Sequence, residues 1–202
     1  MITDGPKFQI FRFLGAPVSV TLMFFLLLPM MGFDIARFAI IAASVLIHEM
    51  AHAWAAHIKG YSVYGITLDL FAGAASIDAN MHQRDSIFVS LAGPASNLLL
   101  IVAALALQTA FPGLPFLGDI LMINAFLFAL NILPIYPMDG GMALKDYMMI
   151  SMRDRWKAAR IAAIVSLSFS LLLIGVSVVL GMYILAIFGA YFAYLAYKEL
   201  NI

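Results

Sequence analysis

Cysteine is absent from the 202 residues, which excludes disulfides and thiolate ligands; any metal held here must take histidine, carboxylate or water. Charge is scarce as well, at 11% of the chain against roughly a quarter in soluble domains. The 11 basic and 11 acidic residues cancel, so no net field draws nucleic acid. What fills the chain instead is apolar: 64% of it is hydrophobic. A chain of this length makes one globular domain, or about six crossings of a bilayer at roughly 20 apolar residues each.

Apolar runs at residues 17–31, 38–58, 87–111, 116–137, 158–180 and 182–197 predict an all-α polytopic membrane protein with six transmembrane helices. Residues 1–202 are expected to form a single integral-membrane domain. The first run does not read as a cleaved leader, because Gly5 and Pro6 precede it and no small-x-small cleavage site clearly follows before Asp34. Residues 158–197 are about twice a single crossing, so a hairpin at Gly181 is preferred to one long kinked helix. Every lysine and arginine except Arg37 falls on one side of this arrangement. The positive-inside tendency puts that side, with both termini, in the cytoplasm, and the expected location is the inner or plasma membrane.

The second run carries His48-Glu49-Met50-Ala51-His52. Two histidines four apart project from one helix face and can grip one metal ion, while the glutamate between them can hold or deprotonate a water. Ionisable groups at membrane depth cost a few kcal/mol or more each, and are usually paired, metal-bound or wet. Zinc needs at least one more protein ligand. His57 falls about 140° round the helix from His52 and reads as interfacial. Asp69 lies in the link between the second and third spans. Asp78 and His82 share a polar stretch with Asn80, Gln83 and Arg84 that reads as solvated surface. Asp139 closes the fourth run ahead of Gly140 and Gly141, in a segment loosened by Pro134 and Pro137, where broken backbone can line a wet cavity. Spacing alone leaves Asp139 divided between a ligand and an ordinary interfacial carboxylate.

His48-Glu49-x-x-His52, then Ala92-Gly93-Pro94-Ala95-Ser96-Asn97, then Asn131-x-x-Pro134-x-x-x-x-Asp139-Gly140 resemble, in order, signature segments of the site-2 protease family of intramembrane zinc metalloproteases. The resemblance implies a three-helix catalytic core from spans two to four and a short membrane-embedded β-hairpin between spans two and three. It implies one Zn2+ held by His48, His52 and Asp139, with Glu49 as general base. Asn131 would polarise the scissile carbonyl or steady the oxyanion. The chain departs from the family at Met138, where leucine is usual, and at Phe71-Ala72-Gly73-Ala74-Ala75, which lacks a glycine pair. No insertion suggests a PDZ module and no tail suggests a CBS domain, so a minimal member is expected. Its substrate choice would rest on the core, the hairpin or a regulatory membrane protein.

The activity this resemblance implies is hydrolysis of a peptide bond within or next to the transmembrane segment of a single-pass membrane-protein substrate in the lipid bilayer. A membrane helix hides its carbonyls in hydrogen bonds, so the substrate must unwind, and strand addition to residues 66–70 would satisfy its freed backbone groups. The alternative from another class is a non-proteolytic zinc-dependent membrane binder or transporter. Such a site has no need of the glutamate between the histidines, and no convincing internal repeat of the transporter kind is present.

Overall fold

The computed structural model describes residues 6–69, 73–152 and 154–200. In chain order its elements are β1 (Lys7–Phe13), β2 (Ala16–Thr21), a 3-10 turn (Leu22–Leu26), α1 (Leu27–Met30), α2 (Ile35–Ile58), β3 (Val63–Leu68), β4 (Gly73–Ile77), α3 (Gln83–Ala110), α4 (Leu117–Ile132), α5 (Asp139–Ser151), α6 (Arg155–Val179) and α7 (Tyr183–Leu200). Among the described residues, α2, α3 and α6 are long and apolar enough to cross a bilayer, and α4 is a shorter apolar helix. The chain divides into two compact units, Met1–Met81 with Ala92–Phe128 and His82–Leu91 with Ala129–Ile202.

In the first unit, α2 begins at Asp34, whose carboxylate accepts the Arg37 backbone N–H at 3.0 Å and so satisfies one orphan donor of the first turn. It ends at Gly60, whose φ of 84° an L side chain would strain. There the Gly60 and Tyr61 N–H groups close on the carbonyls of His57 and Ala56 at 2.9 and 3.0 Å, a Schellman stop. A four-stranded sheet of order β1-β2-β3-β4 packs against this helix, with an antiparallel, a parallel and an antiparallel pairing in turn. Val18 and Ile66 are partners in register and bury against Ala53 and Met50. Further along, Val20, Leu68 and Phe24 pack on Leu46, Val45, Ala42 and Phe38. The segment from Val18 to Leu27 therefore runs beside α2 in the opposite direction, from its C-terminal half back toward its start.

This overturns two expectations. Residues 17–31 form a strand, a 3-10 turn and a single helical turn, so the first of the six spans is not a transmembrane helix. The β-branched Val18, Val20 and Thr21 favour the pleated backbone, and pairing on both edges, with β1 and β3, satisfies its N–H and C=O groups. Nor is the chain all-α. The expected hairpin is present as β3–β4, embedded in a larger sheet; its turn, residues 70–72, lies outside the described residues.

In the second unit, α6 and α7 form the hairpin expected at Gly181, which adopts φ 71° and repeats the Schellman stop through Met182 N–H to the Ser177 carbonyl at 2.8 Å. Asp154 caps α6, accepting from the N–H groups of Trp156 and Lys157. The fourth apolar run ends early: α4 stops at Ile132, and Asp139 is the first residue of α5. Hydropathy hid this short helix because Asp139, Lys145 and Asp146 interrupt its apolar residues. Burial raises the carboxyl of Asp146 above its usual range, against the opposing pull of a Ser86 hydrogen bond and of Lys145. The folded chain thus holds this proton more tightly than the unfolded chain, and the group's contribution to stability falls as pH rises from 3.8 through the raised value. Asp146→Asn is expected to raise the thermal midpoint near neutrality and to lose that advantage in acid; an equal difference at both ends of the range would refute the assignment.

Candidate metal centre

His48 and His52 lie one turn apart on α2, 5% and 7% exposed, with Glu49 beside them at 6%. Their Nε2 atoms face each other at 3.1 Å. Two nitrogens on one tetrahedral zinc, each at about 2.05 Å, stand roughly 3.3 Å apart, so the pair fits a shared ion. Space for it is kept by Gly93 on α3. A Cβ there would come within 2.6 Å of His48 Nε2 and closer still to His52 Nε2.

One turn further along α3, Asn97 turns its Oδ1 to His48 Nδ1 at 2.6 Å. That contact engages Nδ1 and turns Nε2 toward His52 Nε2, the arrangement in which ligating histidines usually hold their second nitrogen. Behind it, Asn97 Nδ2 donates to Asn124 Oδ1 at 2.9 Å. Asn124 Nδ2 in turn donates to the Ser44 hydroxyl at 3.0 Å and to the Ile120 carbonyl at 2.8 Å. Both asparagines are fully buried. Glu49 points toward β4, where a Cβ on Gly73 would lie 2.5 Å from its Oε1.

In the second unit, Asp139 opens α5, a helix start that favours a carboxylate. The two residues after it let α5 begin tight against the chain leading into it, since a Cβ on Gly140 or Gly141 would strike the Ile132 or Ile135 backbone. His48 and His52 offer two imidazoles and Asp139 a carboxylate, the donor types that zinc takes in catalytic sites with a position left open. Asn131 occupies the last turn of α4 and is partly buried.

The remaining candidates have other uses. Asp69 accepts from the Thr21 hydroxyl at 2.9 Å, bracing β2. Asp78 accepts the Asn80 N–H, His82 Nδ1 accepts the Arg84 N–H, and His57 is exposed. Sequence reading passed over Asn124 and Ser44. A signal existed for the first, because an amide in the middle of an apolar run must find a partner away from lipid.

No family model matches the chain. It is 32% identical over 187 residues to a Synechocystis protein named as a zinc metalloprotease, covering 80% of this chain and 49% of that protein. It is 27% identical over 207 residues to a zinc metalloprotease of Methanocaldococcus jannaschii, covering 95% and 59%. The chain thus spans about half the length of the curated relatives it matches. Its fold is similar to that of the solved site-2 protease from Methanocaldococcus jannaschii, with a TM-score of 0.72, 23% identity and coverage of 98% of this chain and 96% of that one.

Proposed function

We propose, from its likeness to zinc metalloproteases in sequence and to a site-2 protease in fold, that this chain is a member of the site-2 protease family and hydrolyses a peptide bond in or beside the transmembrane segment of a single-pass membrane protein. One observation carries the reading furthest. The carboxylate of Glu49, next to the converging histidine pair, lies against Gly73 of β4, an edge strand of the sheet. An unwound substrate segment added to β4 would have its backbone groups satisfied and its carbonyls brought past the base. This relocates the pairing expected at residues 66–70, because β3 already has β2 on one edge and β4 on the other.

In this reading His48, His52 and Asp139 hold one zinc ion. Zinc, when bound, polarises a carbonyl and makes a water more acidic. Glu49 takes the proton of the attacking water and returns it to the leaving nitrogen. Asn131 donates its amide to the substrate oxygen as charge develops there. The segment from β2 to α1 runs the length of α2 in reverse, so exchanging the first helical span for strand and turn leaves the number of traversals unchanged. We therefore keep both termini and the basic loops on the cytoplasmic side of the inner or plasma membrane.

The test compares new protein termini, by mass spectrometry of membranes, in cells carrying the parent chain or Glu49→Gln. Single-pass proteins are expected to accumulate uncut in the variant while their fragments disappear. Identical termini from two well-expressed proteins that both hold zinc would replace the protease reading with a zinc-dependent binder or transporter.

A further inference from the structure

Four side chains on three helices form a closed hydrogen-bonded path that begins and ends on α2, at Ser44 and at His48 one turn later. Its polarity can be worked out from one fixed point. The Ile120 carbonyl can only accept, so the Asn124 atom facing it at 2.8 Å is the amide nitrogen. The second hydrogen of that nitrogen goes to the Ser44 hydroxyl. Asn124 Oδ1 is left as an acceptor, and Asn97 must meet it with nitrogen. Asn97 Oδ1 is then the atom presented to His48, and it accepts from Nδ1–H at 2.6 Å. Turning either amide alone would set two oxygens face to face.

We infer that Asn97 and Asn124 are positioning residues that impose one tautomer on His48, with the proton on Nδ1 and the lone pair of Nε2 directed at the metal. The inference rests on the reading of His48 as a zinc ligand and deepens it. Two fully buried amides among apolar helices are costly to keep unless every donor and acceptor is used, and here the path spends them on orienting a single imidazole. Ser44 plays a lesser part, since the Ile120 carbonyl would still orient Asn124 in its absence.

The experiment uses the full chain in detergent micelles, labelled with 15N-histidine and freed of metal, with His48 assigned by the loss of its signals in His48→Gln. Long-range proton–nitrogen correlations should report a protonated Nδ1 and a bare Nε2 on neutral His48 in the parent. Asn124→Leu keeps the volume but removes the acceptor, so Asn97 can turn over. His48 should then populate both tautomers, and zinc affinity, read by chelator competition, should fall about 10–100-fold. Ser44→Ala should lose less. A parent His48 protonated on Nε2 overturns the inference, whether or not any variant folds. So does a folded Asn124→Leu with parental zinc affinity, or a larger loss in Ser44→Ala than in Asn124→Leu. A parent that takes up no zinc would sink the metal-site reading instead and leave the tautomer result standing.

Discussion

Gly93→Ala is expected to lower zinc affinity at least about 100-fold and to abolish hydrolysis, while the chain still folds. The added Cβ would sit 2.6 Å from His48 Nε2, well inside ordinary contact distance. What it meets is two buried imidazole rings rather than the loose end of a long side chain. Relief requires α3 or the rings to move by about 1 Å, and a displacement of that size at a reacting centre costs about 100-fold. Because Asn97 tethers His48 from the same helix, a shift of α3 would also disturb the contact that orients the ring. Chelator competition on purified protein reads the effect directly. Parental zinc content and affinity in the variant would show that Gly93 does not keep the space for the ion.

Gly73→Ala should separate chemistry from metal binding. Its Cβ would fall 2.5 Å from Glu49 Oε1 and 2.6 Å from Cδ, so the carboxylate must swing aside. Glu49 Cγ is nearer still, so the whole side chain must turn about its Cα–Cβ bond, while the backbone of α2 can stay in place. The base then stands away from the water it must deprotonate, and turnover should drop by roughly 100- to 10,000-fold, the range of a general base's contribution. Zinc affinity should change little, because His48 and His52 are not among the atoms nearest Gly73. Hydrolysis at the parental rate would remove Glu49 from the role proposed for it, and joint loss of zinc would make Gly73 a general packing position.

Much of the site was legible because its chemistry is written in short spacings. Two histidines four apart must share a helix face, and His48 and His52 do. Gly93 and Asn97, also four apart, point at that pair from α3, one by leaving space and the other by filling its hydrogen bond, roles that the resemblance of their segment did not disclose. The break at Gly181 was legible for a similar reason, since 40 apolar residues are too many for one crossing. Residues 17–31 were misread because hydropathy counts residues and a bilayer is measured in ångströms. As a helix the run would extend roughly 22 Å. As strand, 3-10 turn and helical turn it reaches roughly 35 Å, about the length of the 24-residue α2. Nothing in the run itself reveals that its pairing partner lies beyond α2, at Ile66 to Leu68. Asn124 showed by its place in an apolar run that it needed a partner, but not which, because its side-chain partners come from α2 and α3.

The parallel pairing of Val18–Val20 with Ile66–Leu68 also sets an order of events during synthesis. When β2 leaves the ribosome it can close one edge at once, on β1 across the Leu14–Gly15 turn. Its other edge stays open until α2 has been made and β3 has followed it. A strand with a bare edge is poorly tolerated in hydrocarbon, where no water satisfies the backbone. The segment from β1 to α1 is therefore expected to wait at the interface and to settle along α2 only after β3 arrives, so that it reaches its final depth later than a helix translated after it.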